Sequence, residues 1–337
     1  MIKVSVIVPT YNHEPYIRQC LDSLVNQETS FPYEILVGED DSRDGTREIC
    51  KEYAAKYPDK IRLFLNDRQN VVYIHGFPTG RWNFINLLRH ARGEYVAFCD
   101  GDDFWNVPHK LQKQVDYLET RPDFGMVHTR AHLWFEETKH HIADFHQFKH
   151  LKVYEGRVFD SLIENSFIVT ATVLMRKRFI DELLAWKPFD PYRYMLLDYA
   201  IKLYTAYHSQ IGFIPEVMAT HRILRESASN SKNIYKKIYY YQSQYEMIQF
   251  FCHHLQCRNA SLKRAQKRFA QLLLKRYAIA GKPRETGQYL RQVFKLTEGE
   301  ISNVLKNGLY LIISLQPFNF LFRKFVLPIL SRYNVNY

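Results

Sequence analysis

The sequence has no glycine-rich loop of the kinds that commonly hold nucleotide phosphates. Neither Gly-x-Gly-x-x-Gly nor Gly-x-x-x-x-Gly-Lys-Ser/Thr follows the first predicted strand, which leads instead into Pro9-Thr10-Tyr11-Asn12. This argues against a dinucleotide-binding fold and against a phosphate-binding-loop enzyme. If the chain binds a nucleotide, a metal and basic side chains must neutralise most of the phosphate charge.

Cysteine is scarce, and long apolar runs are missing. The five cysteines of the 337 residues are scattered, at Cys20, Cys50, Cys99, Cys252 and Cys257. We therefore expect a cytoplasmic protein that folds without disulfides. Met1–Pro9 has no signal-peptide pattern. The most apolar stretch, Leu309–Phe322, contains polar residues and is shorter than the roughly 20 residues of a transmembrane helix, although it could lie on a membrane.

Acidic residues are rare late in the chain. From Ser231 onward, 18 Lys and Arg accompany four Glu and no Asp, a net charge of +14. Because the whole chain carries +11, the first 230 residues carry −3. A basic surface beside the apolar segments Asn307–Phe322 and Phe325–Leu330 predicts association with an anionic membrane at the cytoplasmic face. The alternative is that these apolar residues pack against the rest of the protein.

Strand and helix patterns alternate over the first 130 residues, which predicts a doubly wound sheet. Apolar runs predict strands at Lys3–Val8, Tyr33–Val37, Ile61–Leu65 and Glu94–Cys99. Helical spacing covers Glu14–Asn26, Asp44–Tyr57 and Trp82–Ala91. Ligands of such sheets bind beyond the carboxyl ends of the strands. We therefore expect one site where three polar turns meet, Pro9–Glu14, Glu39–Asp44 and Asp100–Asp103.

The rest of the chain has a mixed and then a helical pattern. Shorter strands are predicted at Thr170–Met175 and Gln210–Ile214, and helices at Arg178–Ala185 and Leu196–Tyr207. After Ser231 the pattern is helical, basic and rich in tyrosine.

Two acidic turns are the strongest chemical features. The carboxylates of Asp100, Asp102 and Asp103 follow a buried strand, and Mg²⁺ or Mn²⁺ bridging to phosphates would offset their repulsion. The alternative is a solvated turn that caps the next helix. In Glu39–Asp44, one carboxylate could accept a hydrogen bond from a base while Tyr11 covers the flat face of that base. Alternatively, Ser42 or Asp44 simply caps a helix.

Three blocks of sequence together resemble family 2 glycosyltransferases of the GT-A fold. They are Val4–Asn12, Glu34–Thr46 and Gly93–Asp103, in that order. Phe104-Trp105 followed by Lys110–Val115 is similar to the branch found in bacterial surface-polysaccharide gene clusters. The resemblance implies an α/β GT-A fold with a doubly wound, mostly parallel sheet and an added helical region at the carboxyl end. It divides the chain into a nucleotide-sugar-binding half (1–130), an acceptor-binding half (131–230) and a basic helical region (231–337).

The resemblance also implies roles for residues on the donor side. Tyr11 and Asp40 would hold uracil, Pro9 would line that pocket, and Asp100 would approach the ribose. In the Asp-x-Asp motif of Asp100-Gly101-Asp102, Asp102 would bind Mn²⁺ or Mg²⁺ at the diphosphate. Two further candidates for contacts with the nucleotide sugar are Asp103 and Arg81, although Arg81 could equally mark an ordinary helix start.

On the acceptor side, the resemblance makes Asp198 the general base. Its alternative role is that of a carboxylate placed favourably against a helix dipole. Where the family often has a metal-binding His, this chain has Leu224, so His221 is the candidate ligand, with an ordinary surface His as the alternative. Arg222 or Arg225 could contact phosphates.

Two other clusters lack the spacing of a zinc site, and we expect loop and helix-surface residues there. They are His140, His141, His146 and His150 in one case, and Cys252, His253, His254 and Cys257 in the other.

The predicted reaction is an inverting, metal-dependent sugar transfer of the hexosyltransferase type. A UDP-sugar is the expected donor, and a saccharide or lipid-linked hydroxyl is the expected acceptor. Nucleic acid is not expected as a partner. Two alternatives stay open: a nucleotidyltransferase, which would release pyrophosphate from a nucleoside triphosphate, and a nonenzymatic binder that uses the basic region.

Overall fold

The computed structural model describes residues 1–227, 230–296, 310, 312–315 and 318–321. The chain forms two compact units, which divide after Arg225. The first unit contains every strand of the described residues and all the candidate site residues.

Nine strands of the described residues form one mixed sheet, in the order β3-β2-β1-β6-β10-β8-β11-β7, with β9 paired to β8. Strands β3, β2, β1 and β6 are parallel to one another. A two-stranded antiparallel sheet joins β4 to β5. The strands are β1 (Val4–Thr10), β2 (Tyr33–Glu39), β3 (Ile61–Leu65), β4 (Val72–Ile74), β5 (Phe77–Thr79), β6 (Tyr95–Phe98), β7 (Phe104–Trp105), β8 (Phe124–Phe135), β9 (His140–Ile142), β10 (Leu174–Arg176) and β11 (Gln210–Ile223).

Helices of the first unit bury apolar faces against this sheet. In α1, for example, Cys20, Leu21 and Leu24 belong to one buried cluster with Val6 and Ile35 of the sheet. Burial of such side chains contributes about 1.5–3 kcal/mol each. The helices are α1 (Ile17–Val25), α2 (Thr46–Lys56), α3 (Arg81–His90), α4 (Lys110–Glu119), α5 (Phe145–Phe148), α6 (Phe159–Glu164), α7 (Lys177–Ala185) and α8 (Leu197–His208).

The predicted alternation over the first 130 residues is confirmed. The middle differs in two ways. Thr170–Thr172 is a 3-10 turn, so the strand predicted at Thr170–Met175 is the shorter β10. The strand predicted at Gln210–Ile214 continues to Ile223, because β11 pairs along its length with β8 and absorbs register shifts on the way. Such long pairing depends on a distant partner strand, which local sequence does not encode.

The second unit is helical where it is described. Its helices are α9 (Ile234–Leu255), α10 (Asn259–Ile279), α11 (Pro283–Leu296) and α12 (Phe318–Leu321). Ala270 and Leu274 of α10 form a buried cluster with Val293 of α11. None of the described helices combines the length and the apolar character that crossing a membrane requires. Seven of the sixteen residues of Asn307–Phe322 and all of Phe325–Leu330, to which we assigned membrane contact, lie outside the described residues.

The expectation of a chain without disulfides is wrong at one position. Cys252, near the end of α9, is disulfide-bonded to Cys257 in the turn before α10. Cys20, Cys50 and Cys99 are free and buried. An odd, scattered set of cysteines gave no sign of this pair, which forms because the turn between the two helices brings both residues together.

Candidate active site

The three polar turns meet at one rim of the sheet. Strands β2, β1 and β6 are neighbours and run parallel, so their carboxyl ends coincide. The backbone nitrogen of Asn12 donates to Ser42 Oγ (2.9 Å) and that of Gly101 donates to the Pro9 carbonyl oxygen (3.1 Å). The structure therefore brings together the turns that the strand pattern placed in one site.

Tyr11 of the first turn and Asp40 of the second, the residues predicted to hold a base, are joined by Arg68. The Asp40 carboxyl is buried, and burial raises its pKa. Arg68 acts against this shift, because its Nη1 lies 3.3 Å from Asp40 Oδ2. The same guanidinium lies 4.4 Å from the centroid of the Tyr11 ring. Arg68 thus bridges the two residues predicted to hold a base. Sequence reasoning missed it, because it follows β3 outside any motif.

The other acidic residues of the second turn have structural partners. Glu39 is buried, accepts from the backbone nitrogen of Ser42 (2.6 Å) and forms an ion pair with Arg47. Asp44 accepts from the backbone nitrogen of Thr46 (3.1 Å) at the start of α2. For Asp44, the alternative capping role is therefore observed, and Asp40 is the buried carboxyl of this turn without such a role.

The third turn needs its glycine. A Cβ at Gly101 would lie 2.5 Å from Thr10 Oγ1 and 2.8 Å from His13 Nδ1, so a side chain would separate the first and third turns. The neighbouring Asp100 is partly buried. Burial raises the pKa of Asp100 well above its usual range, and the charges of Asp102, Asp103 and Asp198 raise it further. The turn therefore concentrates negative charge that a cation would stabilise.

His221 lies beside this turn because β11 pairs with β7. Its Nδ1 lies 3.1 Å from Asp103 Oδ1, and the backbone nitrogen of Arg222 donates to the same oxygen (2.8 Å). Burial opposes the charged imidazole, but the Asp103 carboxylate raises the pKa of His221 to about 9. Since Nδ1 faces Asp103, Nε2 is the ring nitrogen left for a ligand.

These residues fit a divalent cation that also binds phosphate. No group of three or more His, Cys, Asp or Glu side chains in the described part of the chain is arranged to hold a metal by itself. Mg²⁺ commonly takes only one or two carboxylates and completes its coordination with water and substrate phosphates. Asp102 and His221 could supply such a pair, and a carboxylate behind the histidine, here Asp103, is the usual support of a metal-binding imidazole.

Arg222 does not have the free guanidinium that phosphate binding requires. Its Nε donates to the Asp102 carbonyl oxygen (2.8 Å), Nη1 to Glu136 (2.8 Å) and Nη2 to Gln19 (2.7 Å). The side chain is 7% exposed. The interpretation of Arg222 as a phosphate ligand is therefore wrong; it holds the Asp102 backbone in place. Arg225 is exposed and lies 3.6 Å from Glu137.

Asp198 stands in the first turn of α8. Its Oδ2 accepts from Thr170 Oγ1 (2.7 Å) and from Lys202 Nζ (2.9 Å), one helical turn further on. Burial would raise its pKa, but these two groups and the charge of Arg81 lower it overall. Oδ1 has no hydrogen-bond donor among the described residues, and the side chain is 29% exposed. Asp198 is thus an ionised carboxylate with one anchored and one open oxygen.

Arg81 joins the two sides of the site. It is the first residue of α3, which agrees with its alternative interpretation as an ordinary helix start. It is also buried, and its Nη2 donates to the Tyr194 carbonyl oxygen. Burial lowers its pKa to about 10, and the charge of Asp198 opposes this shift. Its Nε is buried without a hydrogen-bond partner among the described residues. Nearby, Asn83 donates to the Gly38 carbonyl oxygen (2.7 Å) and so supports β2.

The histidine cluster is more buried than expected. His140 and His141 are exposed on β9 and His150 is exposed after α5, as a surface cluster should be. His146, however, is 2% exposed and lies 2.9 Å from the Phe167 carbonyl oxygen through Nε2. The expectation of a loop or helix-surface residue is therefore wrong for His146.

A model of glycosyl transferase family 2 matches residues 5–184. The chain belongs to glycosyl transferase family 2. The matched range contains the three sequence blocks that predicted this family, except for the first residue of the first block. The turns at the ends of these blocks meet at one rim of the sheet.

Curated relatives of this family 2 protein include proteins named for polysaccharide synthesis. An uncharacterized protein of Mycobacterium tuberculosis is 34% identical over 220 residues, which are 65% of this chain and 58% of that protein. The chain thus spans about three fifths of that relative. The putative teichuronic acid biosynthesis glycosyltransferase TuaG of Bacillus subtilis is 28% identical over 278 residues, which are 77% of this chain and 97% of TuaG.

Solved structures confirm the GT-A fold. Residues 1–349 of S. aureus TarS in complex with UDP-GlcNAc give a TM-score of 0.59 at 17% identity and cover 96% of this chain and 92% of that one. The mannosyltransferase PcManGT of Pyrobaculum calidifontis in complex with GDP-Man and Mn²⁺ gives 0.55 at 18% identity, with coverage of 93% and 85%. At these identities the likeness concerns the fold alone.

Proposed function

We propose that this family 2 protein is an inverting, divalent-metal-dependent glycosyltransferase that uses a UDP-sugar donor. One observation carries the proposal. His221 lies 3.1 Å from Asp103 in the turn that carries Asp102, and the charge of Asp198 raises the pKa of Asp100 in the same turn, so the candidate metal ligands and the candidate base share one site. A transferase needs both at the same anomeric carbon.

Tyr11 and Asp40 would bind the base of the donor. The Tyr11 ring can stack on a flat base, and the buried Asp40 can accept a hydrogen bond from its imide nitrogen. Pro9 is the last residue but one of β1, and Asp100 follows the neighbouring strand β6 at the same rim. The TarS complex with UDP-GlcNAc supports uracil as the base. We therefore assign residues 1–130 to donor binding and residues 131–230 to the acceptor.

Asp102 and His221 would hold Mn²⁺ or Mg²⁺ at the diphosphate, and the PcManGT complex with Mn²⁺ supports this assignment. When bound, the cation would stabilise negative charge on the leaving diphosphate. Asp103 then acts through His221 by fixing the ring, rather than by touching the nucleotide sugar. Arg81, which donates to the Tyr194 carbonyl oxygen and whose charge acts on Asp198, would orient the transferred sugar near the base.

Asp198 would remove the proton of the acceptor hydroxyl. Thr170 and Lys202 hold Oδ2, which aims the open Oδ1 at the incoming oxygen and keeps the carboxylate ionised. General bases contribute about 10²–10⁴ to the rate. A single displacement with this base inverts the configuration at the anomeric carbon, and no enzyme nucleophile is needed.

We propose a saccharide or lipid-linked acceptor of the kind used in surface-polysaccharide synthesis. The name of TuaG, which matches 77% of this chain, supports that class. The basic second unit would let the protein work as a cytoplasmic enzyme at the inner face of an anionic membrane.

A donor screen tests the proposal. The protein is incubated with UDP-, GDP- and dTDP-sugars in Mn²⁺, Mg²⁺ or chelator, and the release of nucleoside diphosphate is measured. We expect release from a UDP-sugar that chelator abolishes. Release of pyrophosphate from UTP and a sugar 1-phosphate would instead identify a nucleotidyltransferase. Salt-sensitive oligonucleotide binding without any donor turnover would identify a nonenzymatic binder.

A further inference from the structure

A cavity lies in the first unit, and none of its lining residues belongs to the candidate active site. Its volume is about 810 Å³, within the range of small-molecule sites. Arg130 of β8 and Phe213 of β11 lie on one part of the wall. His146 and Gln147 of α5 and the extended segment 151–155 form the rest.

The walls of this cavity are fixed at both ends of the segment that encloses it. Before α5, the Asp144 carboxylate accepts from the backbone nitrogen of His146 (2.7 Å) and forms an ion pair with Arg130. After the extended segment, Gly156 and Ile211 exchange two backbone hydrogen bonds of 2.8 and 2.9 Å. A segment tied to β8 at one end and to β11 at the other forms a cavity before any ligand arrives, which lowers the cost of ordering on binding.

The lining combines an aromatic ring with polar groups, and Lys152 Nζ lies 5.2 Å from the centroid of the Tyr154 ring. Tyr154 is 37% exposed and packs against Phe167, with ring centroids 5.6 Å apart. Within the described part of the chain, the Tyr154 hydroxyl and the Gln147 amide make no hydrogen bond, and Lys152 makes no ion pair. His146 donates from Nε2 to the Phe167 carbonyl oxygen, and its buried Nδ1 lies 3.7 Å from Asp144 Oδ1. The set therefore offers an aromatic ring, two groups that can both donate and accept, and the Lys152 ammonium as a further donor.

This combination suits a sugar ring better than a purely apolar or a highly charged ligand. A pyranose presents C–H groups on its face, which pack on an aromatic ring, and hydroxyls at its edge, which need both donors and acceptors. Two charged residues of the wall already have partners, because Arg130 forms an ion pair with Asp144 and the Glu155 carboxylate accepts from the Tyr117 hydroxyl. Lys152 remains as one cation for a hydroxyl or a single acidic group.

A short segment behind the cavity wall leads to the candidate base. Phe167 contacts both His146 and Tyr154 of the cavity. One residue further, the Ile168 carbonyl oxygen accepts from Lys202 (3.2 Å), and Thr170 and Lys202 both bind Asp198. Segment 167–170 thus connects the cavity to the anchored side of Asp198.

We infer that this cavity is a saccharide subsite, which binds a sugar unit of the acceptor other than the one that receives the transferred sugar. The inference rests on the proposed function in naming the acceptor. The cavity itself predicts saccharide binding whatever the donor is. Tyr154 packs on the ring, and Gln147 and Lys152 bind its hydroxyls.

A printed array of defined oligosaccharides tests this inference with the full-length chain. The proteins compared are the wild type, Tyr154→Ala, Lys152→Ala and the matched control Tyr73→Ala, which removes an exposed tyrosine of the β4–β5 hairpin. We expect the wild type and the control to be retained on the same glycans. Retention of Tyr154→Ala should fall roughly tenfold, equivalent to about 1.4 kcal/mol, and that of Lys152→Ala should fall less.

Two outcomes overturn the inference: no glycan retains the wild type, or Tyr154→Ala and Lys152→Ala bind as the wild type does. Release of UDP from a UDP-sugar is measured on the same four proteins. If all four proteins release UDP equally and bind glycans equally, the subsite is refuted and the proposed function stands. If the wild type binds a glycan that Tyr154→Ala does not bind, and no protein releases UDP, the subsite stands and the proposed function is refuted.

Discussion

Replacement of Asp103 by Asn separates two roles for this residue, nucleotide-sugar contact and support of His221. The side chain is 3% exposed, and Asn keeps its shape and one oxygen acceptor. In the wild type, the backbone nitrogen of Arg222 donates to Asp103 Oδ1 at 2.8 Å, and the oxygen of Asn can still accept this bond. The charge-assisted contact to His221 Nδ1 at 3.1 Å is the interaction that the change weakens.

The expected loss is in metal affinity. Removing the carboxylate behind a metal-binding histidine typically lowers affinity by about 10–100-fold, or roughly 1.4–2.7 kcal/mol. The negative charge that attracts the cation also falls by one unit. Folding should change little, because the lost contact is offset by reduced repulsion among Asp100, Asp102 and position 103.

The assay is a Mn²⁺ titration of donor hydrolysis at saturating UDP-sugar, with calorimetry of Mn²⁺ binding in the presence of UDP as a second measurement. Asp59→Asn, the same change at an exposed position, is the control. His221→Ala and the double variant complete a cycle, and the double variant should be no weaker than His221→Ala. An unchanged Mn²⁺ affinity with a raised KM for the donor would refute the reasoning and favour direct nucleotide-sugar contact.

Three further predictions concern the base, a buried lysine and the second unit. Asp198→Asn should bind UDP within about twofold of wild type but lose about 10²–10⁴ in transfer rate, because the amide cannot accept the proton. The control Asp181→Asn, on the exposed part of α7, should keep the wild-type rate. Near-wild-type transfer by Asp198→Asn would show that Asp198 is not the base. Burial lowers the pKa of Lys110 to about 7 from its ordinary value near 10.5, so the unfolded state binds more protons above pH 7 and the free energy of unfolding rises with pH between these values, by at most about 1.4 kcal/mol per pH unit. Urea titrations at pH 7 and 9.5 should therefore show wild type gaining stability relative to Lys110→Met, and parallel pH curves would contradict this. Helix α10 has six Lys and Arg and no acidic residue, so the full-length chain should sediment with phosphatidylserine vesicles at low salt and be released at high salt; a form ending at Leu296 should bind less, and if neither form sediments the membrane proposal is wrong.

The sequence by itself determined the parts of the fold that depend on neighbouring residues. Apolar runs and helical spacing located β1, β2, β3 and β6 and the helices between them, and parallel order placed three polar turns at one rim. The motif around Asp100 could be found because its carboxylates directly follow a buried strand. The structure adds the reason for its glycine, since a side chain at Gly101 would clash where the turns meet. Asp198 was predicted from its family motif at a helix start.

Only the tertiary structure decided which side chains serve each other. Asp103 and His221 are 118 residues apart, and Arg222 and Gln19 are 203 apart, so no local pattern links them. Arg222 was one of two arginines that could contact phosphates, but all three nitrogens of its guanidinium donate to protein groups. Arg68 lies outside any motif, yet its charge opposes the burial that raises the pKa of Asp40, and Lys202 helps to lower the pKa of Asp198. Short-range sequence rules describe backbone preferences, whereas these roles arise from distances that folding creates between remote residues.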